Sequence, residues 1–328
     1  MSTSGGTRAI IAALLANMGI ALTKFIAYLI TNSSSMLAEA VHSVADSGNQ
    51  ALLLLGGRRA QRDASPQHPF GYGRDRYIYA FIVSIVLFSV GGLFALWEGY
   101  QKLAHPHPIE RAWVAIGVLV IAIVLESFSF RTAIVESNRI RGKASWVGFI
   151  RRAKAPELPV VLLEDFGALI GLVFAMIGVS LAVVTGDSVW DAIGTLAIGT
   201  LLVTIAIVLA IETKSLLVGE AATRSDLQKI EVALLAEPGV KDIIHMRTMH
   251  LGPEELLVAV KIAVDGASTA ADLAAAIDRA EAQVREAVPI AQVIYIEPDI
   301  RRESAGPAPE WSLDPQRAPA ADPASGAG

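Results

Sequence analysis

The chain has 328 residues, of which 53% are hydrophobic and 18% charged, and its mean hydropathy is +0.50. That is too apolar for an ordinary soluble domain and points to the membrane class. The net charge of −5 carries no basic nucleic-acid footprint, and the absence of cysteine excludes disulfides, thiolate metal sites and cysteine nucleophiles.

Residues 1–8 read as a short polar cytoplasmic N-terminus with one basic residue, followed by a first span and not a cleaved signal peptide. A helix needs roughly 20 apolar residues to cross a bilayer core about 30 Å thick. Six stretches qualify: 9–30, 36–57, 77–103, 112–135, 158–184 and 188–211. The links 31–35 and 185–187 lack Lys and Arg. The link between spans two and three carries Arg58, Arg59, Arg62, Arg74 and Arg76, and the link between four and five carries Arg139, Arg141, Lys143, Arg151, Arg152 and Lys154. The positive-inside rule puts these two links, and with six spans both termini, in the cytoplasm of a multi-pass cell-membrane protein. Tyr77, Tyr79, Trp97, Tyr100, Trp113 and Trp190 stand near span ends and read as interfacial anchors.

After a linker at 212–220, residues 221–298 read as a small α+β domain. The pattern predicts a helix over 225–236 capped by Ser225 or Thr223, strands over 240–251 and 255–264, an amphipathic helix over 269–288 and a strand over 291–296. Residues 299–328, rich in Pro, Ala, Ser, Gly and Asp, predict a flexible tail. The fold class is thus a six-helix transmembrane bundle, residues 9–211, plus a cytoplasmic α-β-β-α-β domain.

An ionisable residue inside a span is costly and marks function by default. Span two carries His42 and Asp46, four apart and therefore on one helical face. An imidazole and a carboxylate stacked this way make half of a tetrahedral metal site. Span five adds Glu164 and Asp165. Facing helices could enclose an ion with His42, Asp46 and Asp165, its charge offsetting the burial of the carboxylates. The plainer alternative is an i,i+4 pair in which His42 and Asp46 satisfy each other. Asn17, Ser43, Ser47, Asn49 and Gln50 read as interhelical hydrogen-bonding groups, Lys24 as a snorkelling or carboxylate-paired cation, Glu98 and Asp191 as interfacial, and Glu126 as a candidate lining of the pathway.

Several of these residues carry a specific resemblance. Asn17 and Lys24, the run Ser33-Ser34-Ser35-Met36-Leu37-Ala38-Glu39-Ala40-Val41-His42-Ser43-Val44-Ala45-Asp46, the run His68-Pro69-Phe70-Gly71-Tyr72-Gly73-Arg74 and the pair Glu164-Asp165 make the chain similar to the cation diffusion facilitator family over about residues 8–298. The resemblance implies export of a divalent cation, usually zinc, in exchange for protons, by a homodimer embedded in the bilayer. It also implies a metal site between spans two and five and a ferredoxin-like, metallochaperone-like cytoplasmic domain. The transported ion is substrate, and no resident cofactor is expected.

The departures are specific too. Val161 stands where the family places a His or Asp one turn before Asp165. Glu164 lies about 100° around the helix from Asp165; a subgroup of the family looks similar in this respect, which adds Glu164 to the expected ligands. His68 matches one family loop ligand, whereas Tyr72 and Ser65 replace others. In the tail His245 matches a ligand position, but Lys261 and Ile296 stand where His often occurs. His245 and His250 therefore read as surface or interface histidines, and His105 and His107 as parts of a solvated loop. One imidazole with two or three carboxylates suits zinc and leaves iron, manganese and cobalt open. A non-transporting metal sensor or scaffold is the second class. An intramembrane metalloenzyme lacks its motif, since no His-Glu-x-x-His occurs.

Overall fold

The computed structural model describes residues 3–106, 109 and 111–300, with side chains from residue 17 onward. His107 and the expected tail beyond residue 300 lie outside the described residues. The chain divides into two compact units, Met1–Leu217 and Val218–Gly328.

The first unit is helical. Its long elements are α1 (Thr3–Thr31), α2 (Ser34–Ala60), α3 (Asp75–Val86) running through a π-helical segment (Leu87–Leu93) into α4 (Phe94–Ala104), α5 (Ala112–Arg141), α7 (Glu157–Thr185) and α8 (Val189–Val218). A short α6 (Trp146–Arg152), capped by the Ser145 side chain, lies in the basic link where no element was expected. Among the described residues, four rods are long and apolar enough to cross a membrane: Asp75–Ala104, Ala112–Arg141, Glu157–Thr185 and Val189–Val218. In α1 the segment Asn17–Thr31 is a shorter apolar stretch. α2 falls short because of its polar residues, yet Ser34, Glu39, His42, Ser43, Asp46, Ser47 and Asn49 are all buried. A helix this polar cannot face lipid, so it sits inside the bundle and its neighbours supply its surroundings. α5 does the opposite, with Trp113, Ile121 and Phe128 well exposed along an apolar outer face.

The start of α2 rests on another helix. Ser33, in extended conformation, caps it by accepting from the Met36 N–H at 3.4 Å. The Asp191 carboxylate of α8 then accepts from Ser33 Oγ (3.0 Å), Ser34 N (3.0 Å), Ser34 Oγ (3.1 Å) and Ser35 N (3.3 Å). A carboxylate at a helix N-terminus meets both the orphan amides and the positive end of the macrodipole. Asp191 is fully buried, which corrects its expected interfacial place. The short-range pattern could not show that α2 and α8 start side by side. Just before this junction, Asn32 takes a left-handed φ of 53° and donates its N–H to Tyr28 O, turning the chain out of α1.

Close packing uses small residues. A Cβ on Gly178 would lie 2.9 Å from Trp190 O, and one on Gly194 3.0 Å from Phe174 O, so α7 and α8 meet backbone to backbone. A Cβ on Gly92, in the π-helical segment, would lie 2.6 Å from Val203 Cγ2 of α8. Tyr77 was expected as an interfacial anchor and is instead fully buried, whereas Trp97, Tyr100 and Trp113 are exposed. Arg76 pairs with Glu157, tying the start of α3 to the start of α7.

The second unit runs α9 (Arg224–Leu235), β1 (Asp242–Gly252), β2 (Glu255–Ala263), α10 (Ala270–Ala287) and β3 (Ala291–Asp299). Its sheet has the order β1-β2-β3, with β1 antiparallel and β3 parallel to β2. Thr223, not Ser225, caps α9 by accepting from Asp226 N, and Thr269 forms a capping box with Asp272. Leu256, Val258, Val260 and Ile262 alternate inward along β2 and pack with Ile230, Leu234, Ala280 and Val284 of the helices. α8 reaches Val218, so most of the expected linker is helix. β3 runs three residues past its expected end, because its carboxylates find a partner on β2. Lys261 Nζ lies 3.0 Å from Glu297 Oε1 and 3.0 Å from Asp299 Oδ2.

Glu237 is 1% exposed and takes a two-nitrogen contact from Arg279 of α10, Nη2 to Oε1 at 2.7 Å and Nε to Oε2 at 3.1 Å. The Arg279 hydrogen bonds hold the Glu237 carboxyl below its ordinary 4.5, against the opposing effect of burial. A lowered folded-state value contributes stability that is present above 4.5 and is lost as pH falls through the folded value. Circular dichroism of the full chain in detergent should therefore show acid unfolding of this unit starting at higher pH in Arg279→Ala than in wild type; coincident acid limbs would refute the assignment. In the helical unit, Asp191→Ala strands several buried donors at about 1–3 kcal/mol each. Its thermal unfolding midpoint in detergent should drop clearly, with Asp191→Asn recovering part of the loss.

Candidate functional site

A narrow polar cavity lies inside the helical unit, lined by Asn17 and Ile20 of α1, Ser43, Asp46 and Gln50 of α2, Glu126 of α5, and Glu164 and Asp165 of α7. Four helices thus contribute, and four of the eight lining residues are carboxylates. Spacing explains the convergence. Ser43, Asp46 and Gln50 recur at three and four residues along one face of α2. Glu164 and Asp165 are adjacent on α7, and both are buried.

Neutral donors orient the carboxylates. Asn49 Nδ2 donates to Glu164 Oε1 at 2.6 Å, joining α2 to α7. Ser129 Oγ donates to Asp165 Oδ2 at 2.8 Å, joining α5 to α7. Asp46 Oδ1 is buried without a hydrogen-bond partner, and so are Asn49 Oδ1 and Gln50 Oε1. Among the described residues no Lys or Arg forms an ion pair with Asp46, Glu126, Glu164 or Asp165.

His42 stands beside the cavity, not in its lining. Its Nε2 is 3.5 Å from Asp46 Oδ2, and both ring nitrogens are buried without hydrogen bonds. A Cβ on Gly91 of the π-helical segment would lie 3.8 Å from His42 Nδ1. π-Bulges recur at functional sites, and here the irregular turn passes the buried imidazole of His42. His42 and Asp46 therefore lie within ion-pair range but form no hydrogen bond with each other.

Among the described residues, the buried cation near the cavity is already committed. Lys24 Nζ lies 3.1 Å from Glu39 Oε2 and donates to Ser43 Oγ at 2.8 Å, with Lys24 and Glu39 both almost fully buried. Lys24 is thus carboxylate-paired and does not snorkel. Glu39 reaches α7, where a Cβ on Gly171 would lie 2.8 Å from its Oε1.

The structure therefore brings Asp46, Glu164 and Asp165 around one cavity with His42 adjacent. It does not assemble them as a finished cage: among the described residues no three His, Asp or Glu side chains stand ready to hold one metal ion. Ser129 escaped the sequence reading, and Asn49 passed as a generic interhelical group. Only knowledge of which helices touch could have exposed them. Outside the cavity, Ser65 Oγ and Tyr72 OH hydrogen-bond at 3.1 Å and His68 packs on the Tyr72 ring at 4.6 Å, so the loop after α2 is closed by its own side chains. His250, expected as a surface or interface histidine, is buried within its own unit, its Nδ1 3.2 Å from Gly252 O. His245 is half-buried and lies opposite Lys261 in the β1–β2 register.

Comparison with known proteins places both units. Residues 10–218 match the model of the cation efflux transmembrane domain, and residues 222–299 that of the cation efflux protein, cytoplasmic domain. The chain is 32% identical over 269 residues to the proton-coupled zinc antiporter SLC30A9, mitochondrial, of Xenopus laevis, covering 81% of this chain and 48% of that one. It is 29% identical over 264 residues to metal tolerance protein C4 of Arabidopsis thaliana, covering 79% and 57%. It is 27% identical over 251 residues to the cation-efflux pump FieF of Klebsiella pneumoniae, covering 76% and 79%. The chain spans about half the length of the SLC30A9 relatives it matches.

The Asn49–Glu164 bond yields a test of its own. Asn49→Leu leaves Glu164 without its donor, and metal affinity measured by calorimetry should fall about 10–100-fold, the effect of losing a group that orients a ligand. An unchanged affinity in a well-folded variant would remove Glu164 from the site.

Proposed function

The chain belongs to the cation diffusion facilitator family, and from that premise we propose that it exports a divalent cation, zinc foremost, in exchange for protons. The observation that carries this reading is the cavity itself: carboxyls from three helices share it, neutral donors orient two of them, and among the described residues no Lys or Arg pairs with them. Burying such charge is unfavourable unless a guest supplies the opposite sign. Asp46, Glu164 and Asp165 supply hard oxygen donors and His42 an imidazole, a set that suits zinc and also accommodates iron, manganese or cobalt.

In the proposed cycle all six long helices cross the bilayer, and both termini face the cytoplasm with the basic links. The second unit then lies in the cytoplasm, and two copies of the chain form the working dimer. The ion enters from the cytoplasm, and His42 and Asp46 on α2 close on it with the α7 carboxylates. Each ligand must be deprotonated to bind, so loading releases protons and protonation of the emptied site drives the ion off. Helix movement between inward- and outward-open arrangements would expose the same site to each side in turn. The chemistry is transport, with no bond made or broken in the substrate. A metal sensor, the second class, binds the ion at the same residues but does not move it.

Vesicles holding the purified protein and a zinc-sensitive dye distinguish the two. With an imposed proton gradient, wild type should accumulate zinc, and Asp46→Ala should fall to the background of empty vesicles. Normal flux in Asp46→Ala would refute the site, and binding without flux in wild type would favour the sensor.

A further inference from the structure

α5 buries a stripe made of Ala115, Leu119, Ala122, Ala133 and Ser137. The spacing of three and four residues puts Glu126 on this stripe, midway along a 30-residue helix. A carboxylate at that depth is among the costliest residues a membrane helix can carry. Its side chain lines the cavity beside Asp46, Glu164 and Asp165. Ser129, one turn further on the same face, holds Asp165 Oδ2 at 2.8 Å, which presses this face of α5 against the acidic pair of α7. Among the described residues Glu126 has no ion-pair partner, because Lys24 is spent on Glu39. Asp46, 9% exposed, presents its unpartnered Oδ1 as a second acceptor in the same cavity.

We propose that Glu126 is a further ligand of the transported ion, so that α5 joins α2 and α7 in forming the site and sets its preference among divalent cations. This inference rests on the transport reading above and adds to it a third ligand-bearing helix. A carboxylate from α5 makes the donor set richer in oxygen. Oxygen-rich sets serve manganese better than imidazole-rich ones do, so Glu126 widens the range of ions carried. It also gives α5 a direct link to the ion, so that loading the site draws α2, α5 and α7 together.

The experiment measures zinc and manganese affinities of the full-length detergent-solubilised protein, with Glu126→Gln and Glu126→His beside wild type. Glu126→Gln should weaken both ions by at least about tenfold, as loss of a metal-orienting or metal-binding group does. Glu126→His should regain zinc binding more than manganese binding, raising the zinc-to-manganese preference above wild type. A merely structural Glu126 would leave that preference unchanged in both variants, and this result overturns the proposal. Should neither variant fold, the zinc-loaded wild type decides by electron cryo-microscopy. A Glu126 oxygen within about 2.0–2.2 Å of the ion supports ligation, and an ion held by other residues without it overturns the proposal. Failure of wild type to bind either metal would instead remove the transport reading on which Glu126 depends.

Discussion

Carboxyl groups buried in a membrane interior with no cationic partner among the described residues are the constraint around which this molecule is organised. Asp46, Glu164 and Asp165 are buried, and Glu126 joins them at mid-helix. Two kinds of compensation stand side by side. Glu39 has a permanent partner in Lys24, an ion pair closed within the protein. Among the described residues the cavity carboxyls have only neutral donors, Asn49 and Ser129, which fix their orientation without supplying a counter-charge. A neutral amide or hydroxyl satisfies one oxygen lone pair but does not offset the Coulombic cost of the group. On the proposed reading, that residual cost is what a passing cation would relieve, with no resident counter-charge for the ion to displace first.

The packing follows from where α2 must lie. Its polar face cannot meet lipid, so the apolar rods surround it. α7 touches it through Glu39 at Gly171 and through Asn49 at Glu164. α8 holds its first turn through Asp191, and the π-helical segment between α3 and α4 passes His42 at Gly91. The start of α2 is therefore anchored by a buried carboxylate network, while the cavity lies further along the same helix. One end fixed and the middle loosely satisfied would suit a helix that responds to an ion, as the proposed function requires.

Much of this was legible in the sequence, for identifiable reasons. The helical rods announce themselves by length and hydropathy, and the tail by its alternation from Leu256 to Ile262 and by the caps Thr223 and Thr269. His42, Asp46, Glu164 and Asp165 stood out because ionisable residues are rare in such segments. What stayed hidden depended on which helices touch. Asp191 looked interfacial because it opens a span, yet it caps a different helix. Tyr77 looked like an anchor and is core. Ser129 is an ordinary helix serine until α5 is laid against α7. The π-helical turn that carries Gly91 and Gly92 was not visible, because helix periodicity assumes the α repeat throughout. The cavity lining shows the same limit: His42 and Asp46 share a face, but only Asp46 reaches the cavity in this conformation.

The most direct measurement is zinc K-edge X-ray absorption of the wild-type protein carrying one equivalent of zinc. Ligation by the buried groups predicts a four- to five-coordinate shell of oxygen and nitrogen at about 2.0–2.2 Å, with the outer-shell signature of a single imidazole. A six-oxygen hydrated shell without imidazole, or failure to retain zinc at one equivalent, would contradict it.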